Sequence, residues 1–205
     1  MTDFPLVVSF YTKDTLYQLE VQNLIASCEK WHLERYIEPI ASFGSWERNC
    51  AYKPLFLLEK LEQFKRPLFW VDADAVFIQK PQYLELFEKD FAVRINHAWG
   101  ASHPSQVMSG SLYINATLGA ERVLKSWAKE CLDRLSDPFR SEELWDQVAL
   151  RDVINRGVPG AAIEALPSGY TTIIDHPHEG SDLKHVVIGH YQASRRFKKL
   201  INDVS

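Results

Sequence analysis

Apolar residues along this chain fall into short runs that alternate with longer stretches of helical spacing. The first run, Leu6 to Tyr11, is β-branched and aromatic and predicts a strand; behind it Tyr17, Val21, Leu24, Ile25, Cys28 and Trp31 share one helical face. A second run, Ile37 to Ser42, leads through Gly44-Ser45-Trp46 to Pro54, a residue suited to a helix start, and to Leu55, Leu58 and Leu61 repeating behind it. Leu68-Phe69-Trp70-Val71 is apolar at every position, as a central strand covered on both sides should be, and it stops abruptly at Asp72-Ala73-Asp74. Phe91 to Ile95 and Leu112 to Asn115 predict further strands. Two helices follow, one carrying Ala120, Val123, Leu124, Trp127, Cys131 and Leu135, the other opening at Ser141-Glu142-Glu143 and running to about Ile154. Beyond Gly157 the chain is rich in turn residues until a last strand, Val186 to Ile188, and a basic tail. Strand and helix in alternation predict an α/β fold with a mostly parallel central sheet flanked by helices on both faces. With no internal repeat, low-complexity tract or linker, residues 1–205 read as a single domain.

Composition narrows the functional classes. The 205 residues are 46% hydrophobic, enough for one sizeable core, and 23 basic against 27 acidic side chains leave a net charge of -4. No global attraction draws such a chain to nucleic acid, so none is expected as a partner. Cys28, Cys50 and Cys131 are odd in number and widely spaced, which predicts buried thiols in a reducing compartment. Met1-Thr2-Asp3-Phe4-Pro5 lacks a basic segment leading into an apolar one, and no window approaches the roughly 18 apolar residues of a membrane span, so a cytoplasmic location is expected. Asn115-Ala116-Thr117 is then a chance glycosylation sequon, and His176-Pro177-His178 reads as a solvent-facing loop rather than a zinc site.

The most informative residues are Asp72 and Asp74. At positions i and i+2 of an extended segment both carboxylates point to one side, at the carboxyl end of a strand, where ligands of open α/β sheets bind. Two partly desolvated anions without a partner cost several kcal/mol, roughly the penalty of any unpaired buried charge, so a hard divalent cation, Mg²⁺ or Mn²⁺, is the natural resident. The plain alternative is a pair of aspartates that merely terminates a strand. Asp72-Ala73-Asp74-Ala75-Val76 is also similar to the nucleophile motif of haloacid-dehalogenase-like phosphatases. That family carries the motif on its first strand and a later acidic pair, whereas here two strand-helix units precede it and no later strand ends in paired acids.

From Val7 to about Lys199, the ordered motifs resemble those of metal-dependent GT-A glycosyltransferases, a Rossmann-like fold. The retaining families that include glycogenin-like and bacterial lipopolysaccharide galactosyltransferase-like enzymes are the most similar. The resemblance implies that Asp72 and Asp74 bind Mn²⁺ or Mg²⁺, which clamps the diphosphate of a nucleotide-sugar, with Asp74 the more direct ligand and Asp72 also near the ribose. His190, ending an apolar strand, matches the family's third metal ligand, and Arg196, six residues on, matches a diphosphate-binding lysine; Ala193 stands where the family has glycine. Lys53 matches a basic residue that touches the donor, Gly110 in Ser109-Gly110-Ser111 an acceptor-side segment, and Asp146-Gln147 a pair that faces the donor sugar and is implied to be catalytic. Ser9, Tyr11 and Thr12 fall where base and ribose would lie.

The implied activity is transfer of a sugar from a nucleoside-diphosphate sugar, a UDP-sugar in the closest families, to a glycan, glycolipid or protein acceptor with retention. A module that binds nucleotide-sugar without turnover is the second reading, and a phosphatase using Asp72 and Asp74 the third. Arg195, Arg196, Lys198 and Lys199 place four positive charges in five positions, read as a diphosphate site and, more weakly, as a peripheral contact with an anionic inner membrane face.

Overall fold

A computed structural model describes residues 4–82, 84, 87–137, 146–175 and 183–202. The start of the helix expected at Ser141 and the His176-Pro177-His178 loop lie outside them. The chain begins β1 (Leu6–Thr12), α1 (Tyr17–Lys30), β2 (Arg35–Ile40), α2 (Trp46–Ala51), α3 (Lys53–Phe64) and β3 (Leu68–Val71). It continues with β4 (Ala75–Phe77), β5 (Phe91–Ile95), β6 (Val107–Ile114), α4 (Leu118–Ser136) and α5 (Asp146–Arg156), then β7 (Ile163–Ala165), β8 (Thr172–Ile173), β9 (Ile188–His190) and α6 (Ser194–Asn202).

Local chemistry accounts for several boundaries. Ser45 caps α2 by accepting a hydrogen bond from the Arg48 amide at 3.3 Å, and Thr117 caps α4 through the Ala120 amide at 3.2 Å. Pro54 lies in the first turn of α3, where its missing N–H is not needed. Six strands pair in the order β2-β1-β3-β6-β5-β7, with β6 antiparallel to both neighbours and the other five strands running the same way. The mostly parallel α/β sheet is therefore present. Its β6 strand starts at Val107, earlier than the expected Leu112, so Gly110 lies inside the strand.

Period-two alternation sorts the core into two layers. Leu68, Trp70, Leu112 and Ile114 pack with Phe56, Leu57, Val123, Trp127 and Leu150 of α3, α4 and α5. Phe69, Val71, Ala92 and Tyr113 face the other way, toward Leu24 and Cys28 of α1 and toward Phe77 and Ile188. Those last two belong to a small second sheet, β4-β9-β8, which shares the covering of this face with α1. No apolar periodicity announces strands this short.

Trp127 is fully buried and its indole N–H donates to the Asp146 carbonyl at 2.7 Å, so one side chain fills the core and seats the start of α5. Truncating Trp127→Ala is expected to destabilise the fold by about 3–5 kcal/mol in chemical denaturation, the range for a large buried aromatic.

Candidate functional site

The site forms where β3 runs out. Asp72 follows the last residue of β3, and the Ala75 amide bonds back to the Asp72 carbonyl at 3.0 Å, so the two aspartates occupy a turn between β3 and β4. Their carboxylates therefore converge through a turn and not through an extended i, i+2 pair as expected. β9 runs antiparallel to β4 and opposes His190 to Ala75. The result is a cluster in which ligand-capable atoms of Asp72, Asp74 and His190 all lie within 4.8 Å of one another.

Each member is held by backbone or by a buried partner. The Ala193 amide donates to Asp74 Oδ2 at 2.7 Å and the Tyr191 amide to the Asp74 carbonyl at 3.2 Å. Between those amides Gln192 adopts a left-handed backbone, φ 44°, a conformation that non-glycine residues hold only under constraint. His190 Nε2 lies 3.0 Å from the Ser111 hydroxyl. Gly110 leaves room for the imidazole: a Cβ there would lie 2.8 Å from His190 Cε1 and 3.4 Å from Asp72 Oδ2. Asp72 Oδ1 accepts from the Trp70 indole at 2.9 Å.

Lys53, the first residue of α3, brings a buried cation to these acids. Its Nζ lies 2.9 Å from Asp72 Oδ1 and 2.8 Å from Asp146 Oδ2, and its side chain is 6% exposed. Burial alone would lower its pKa, but the Asp146 and Asp72 carboxylates overcome this and hold the ammonium well above its ordinary value. Among the described residues no cation pairs with Asp74 in this way. Burial and then the charge of Asp72 push its carboxyl up to about 7, against the opposing Ala193 amide. Burial also takes His190 down to about 4, leaving a neutral imidazole with a lone pair to offer, although Asp72 pulls the other way. Two carboxylates and a neutral imidazole, with negative charge in excess, are a donor set that suits Mn²⁺ or Mg²⁺.

Two hollows flank the cluster. The first, about 130 Å³, is bounded by Tyr11, Thr12, Tyr17, Trp46 and Lys53; the second, about 330 Å³, by Gly110, Gln147, Thr171, Gln192 and Arg195. Asp72, Asp74 and Asp146 line both. Tyr11, Thr12, Lys53, Gly110, Asp146 and Gln147 are thus brought together around the metal-ligand candidates.

Two expected residues are placed elsewhere. Ser9 is fully buried in mid-strand, below the strand ends where the hollows open. Arg196 turns away to pair with Glu20 at 2.9 Å, because the helical rotation of α6 gives the cleft to Arg195 and Lys198, three residues apart, instead.

Asp146 and Gln147 have structural partners as well. Asp146 Oδ2 accepts from the Ser109 hydroxyl at 2.9 Å, and the Gln147 amide takes the Ser109 N–H at 3.2 Å and gives an N–H to the Pro104 carbonyl at 3.1 Å. One and two turns further along α5, Arg151 binds the Ser102 carbonyl at 2.7 Å and Asn155 the Ala101 carbonyl at 3.0 Å. One face of α5 thereby straps the loop leading into β6, a role that no local motif marks.

The sequence matches no known family model, and no curated protein matches it. Among solved structures, the chain is similar to a glycosyltransferase involved in the glycosylation of the major capsid of PBCV-1. The TM-score is 0.66 over 98% of each chain, at 16% sequence identity. The α/β fold, its mostly parallel sheet flanked by helices, is thus one that a glycosyltransferase also adopts.

Replacing Lys53→Met leaves the Asp72 and Asp146 carboxylates without their shared cation. The expected loss is about 3 kcal/mol or more in urea denaturation, the usual consequence of breaking one side of a buried ion pair. A variant as stable as the parent would show that water replaces the ammonium without penalty.

Proposed function

We propose that this chain is a metal-dependent glycosyltransferase of the GT-A type, moving a sugar from a nucleoside-diphosphate donor, UDP-linked in the first instance, to an acceptor hydroxyl with retention of configuration. One observation carries the reading. Asp72, Asp74 and His190, drawn from two separated stretches of chain, converge within 4.8 Å in a site short of positive charge. A fold shared with a glycosyltransferase supports the same reading.

Asp72, Asp74 and His190 would hold the metal. Bound there, it supplies Lewis-acid stabilisation of the negative charge that grows on a departing diphosphate. Arg195 adds positive charge along the wall of the second hollow, beside Lys198, which is paired with Glu47 at 3.0 Å, and the first turn of α6, at Ser194, presents the helix end that favours anions. Tyr11, Thr12 and Trp46 shape the first hollow, where an aromatic and hydroxyl lining suits a nucleoside. Asp146 lines both hollows with a buried carboxylate, oriented by Lys53 and Ser109, beside which positive charge on a sugar ring can develop as the glycosidic bond stretches.

Calorimetric titration of UDP, GDP and CDP with and without Mn²⁺ tests the clamp. At least one diphosphate should bind about tenfold or more tightly with Mn²⁺, a gain that Asp74→Asn removes. Asp74→Asn binding every nucleotide with unchanged metal dependence would refute it. Slow release of sugar from the matching nucleotide-sugar distinguishes turnover from a binding module, and phosphate release from simple phosphomonoesters would favour the phosphatase.

The metal site also has a pH signature. The Asp74 carboxyl holds its proton up to about 7, so below that pH an incoming ion must displace it. The Kd for Mn²⁺ alone should rise by up to about tenfold per unit as pH falls from 7 to 5 and level off above 7. His190, held neutral down to about 4, adds nothing in that window.

A further inference from the structure

An imidazole nitrogen has one in-plane direction for a proton or a metal, and the hydrogen bond made by one nitrogen decides what the other can do. At His190 that bond is on Nε2, which lies 3.0 Å from the Ser111 hydroxyl. Ser111 is fully buried and His190 is 5% exposed, so the pair is screened from water. Nδ1 lies on the ring edge that meets Gly110: a Cβ at that glycine would lie 3.0 Å from Nδ1 and 3.4 Å from Asp72 Oδ2. Gly110 thus leaves the Nδ1 edge uncovered beside Asp72, in the wall of the second hollow, while the next residue of the same strand takes the far nitrogen. β6 fixes Ser111 in turn. Ser111 sits opposite Val71 in the antiparallel ladder, and one step on the Asp72 amide donates to the Gly110 carbonyl at 2.9 Å. One strand therefore holds the backbone of an aspartate and the hydrogen-bond partner of the histidine.

We propose that His190 offers Nδ1 to the divalent ion and that Ser111 is the positioning residue behind it, accepting the Nε2 proton and holding the plane of the ring. A hydroxyl suits the task because it both donates and accepts. Without an ion it serves either tautomer of the neutral imidazole. With an ion at Nδ1 the proton must sit on Nε2, and the hydroxyl turns to accept it. An alanine in its place would leave that N–H buried without a partner in the ion-bound state. The assignment rests on the reading of Asp72, Asp74 and His190 as a metal site, and adds to it the ligating atom and the residue that orients it.

Ser111→Ala, which removes a single oxygen from the strand, tests it through metal binding rather than turnover. The Kd for Mn²⁺, read from the EPR signal of the free ion, should rise about 10- to 100-fold over the parent, the usual effect of losing the partner of a metal-ligating histidine. The rise in melting temperature that Mn²⁺ confers should shrink in step, which the loss of a merely structural hydroxyl would not cause. In the parent loaded with Cd²⁺ as a diamagnetic stand-in, ¹⁵N spectra should show His190 metallated at Nδ1 and protonated at Nε2, its signals assigned by their loss in His190→Gln. A ring metallated at Nε2, or Ser111→Ala binding Mn²⁺ as tightly as the parent, would overturn the assignment and leave the metal site standing. Mn²⁺ bound no better by the parent than by Asp74→Asn would overturn the metal site and this assignment with it.

Discussion

The buried ammonium of Lys53 is the constraint on which the site depends. It ties the start of α3 to the end of β3 through Asp72 and to the start of α5 through Asp146. Asp146 is fixed a second time by the Trp127 indole on its carbonyl, so the core of one sheet face and the chemistry at its edge share a joint. A lysine at a helix start opposes the helix dipole, and burial opposes its charge. It persists there because two carboxylates outweigh both effects. Lys53 thereby compensates Asp72 and Asp146 and leaves Asp74, at the same edge, without a cationic partner among the described residues.

That difference separates the three acids. Lys53 satisfies Asp72 and Asp146, while Asp74 has only an amide and pays for the proximity of Asp72 with a carboxyl that holds its proton up to about 7. An arrangement needed only for stability would have neutralised all three. The residual deficit faces a hollow on either side, one with an aromatic and hydroxyl lining, the other lined in part by basic residues.

Much of this was legible along the chain because it is local. Strand-helix alternation, Pro54 at a helix start and the abrupt Asp72-Ala73-Asp74 after four apolar residues all act within a few residues of themselves. His190 was found from its place after an apolar strand together with a family resemblance. What stayed hidden was long-range or rotational. The three-residue strand β4 pairs with a segment more than a hundred positions away, which no periodicity reveals. The choice of Arg195 over Arg196 needed the phase of a helix.

The pairing of β4 with β9 explains why so small a second sheet exists. Gly189 opposes Val76, and a Cβ at that glycine would meet Ile174 Cδ1 at 2.7 Å, so the ladder packs against the segment leaving β8 without room for a side chain. β4 is held from the other side by α1, whose Ser27 hydroxyl accepts the Phe77 amide at 3.1 Å, and by Trp31 just past the end of α1, whose indole donates to the Phe77 carbonyl at 2.9 Å. A slip of one residue would send His190 to the opposite face of the ladder, away from both aspartates. The sheet is therefore a register device: its few hydrogen bonds contribute little to stability beside the main core, and their consequence is the position of one imidazole.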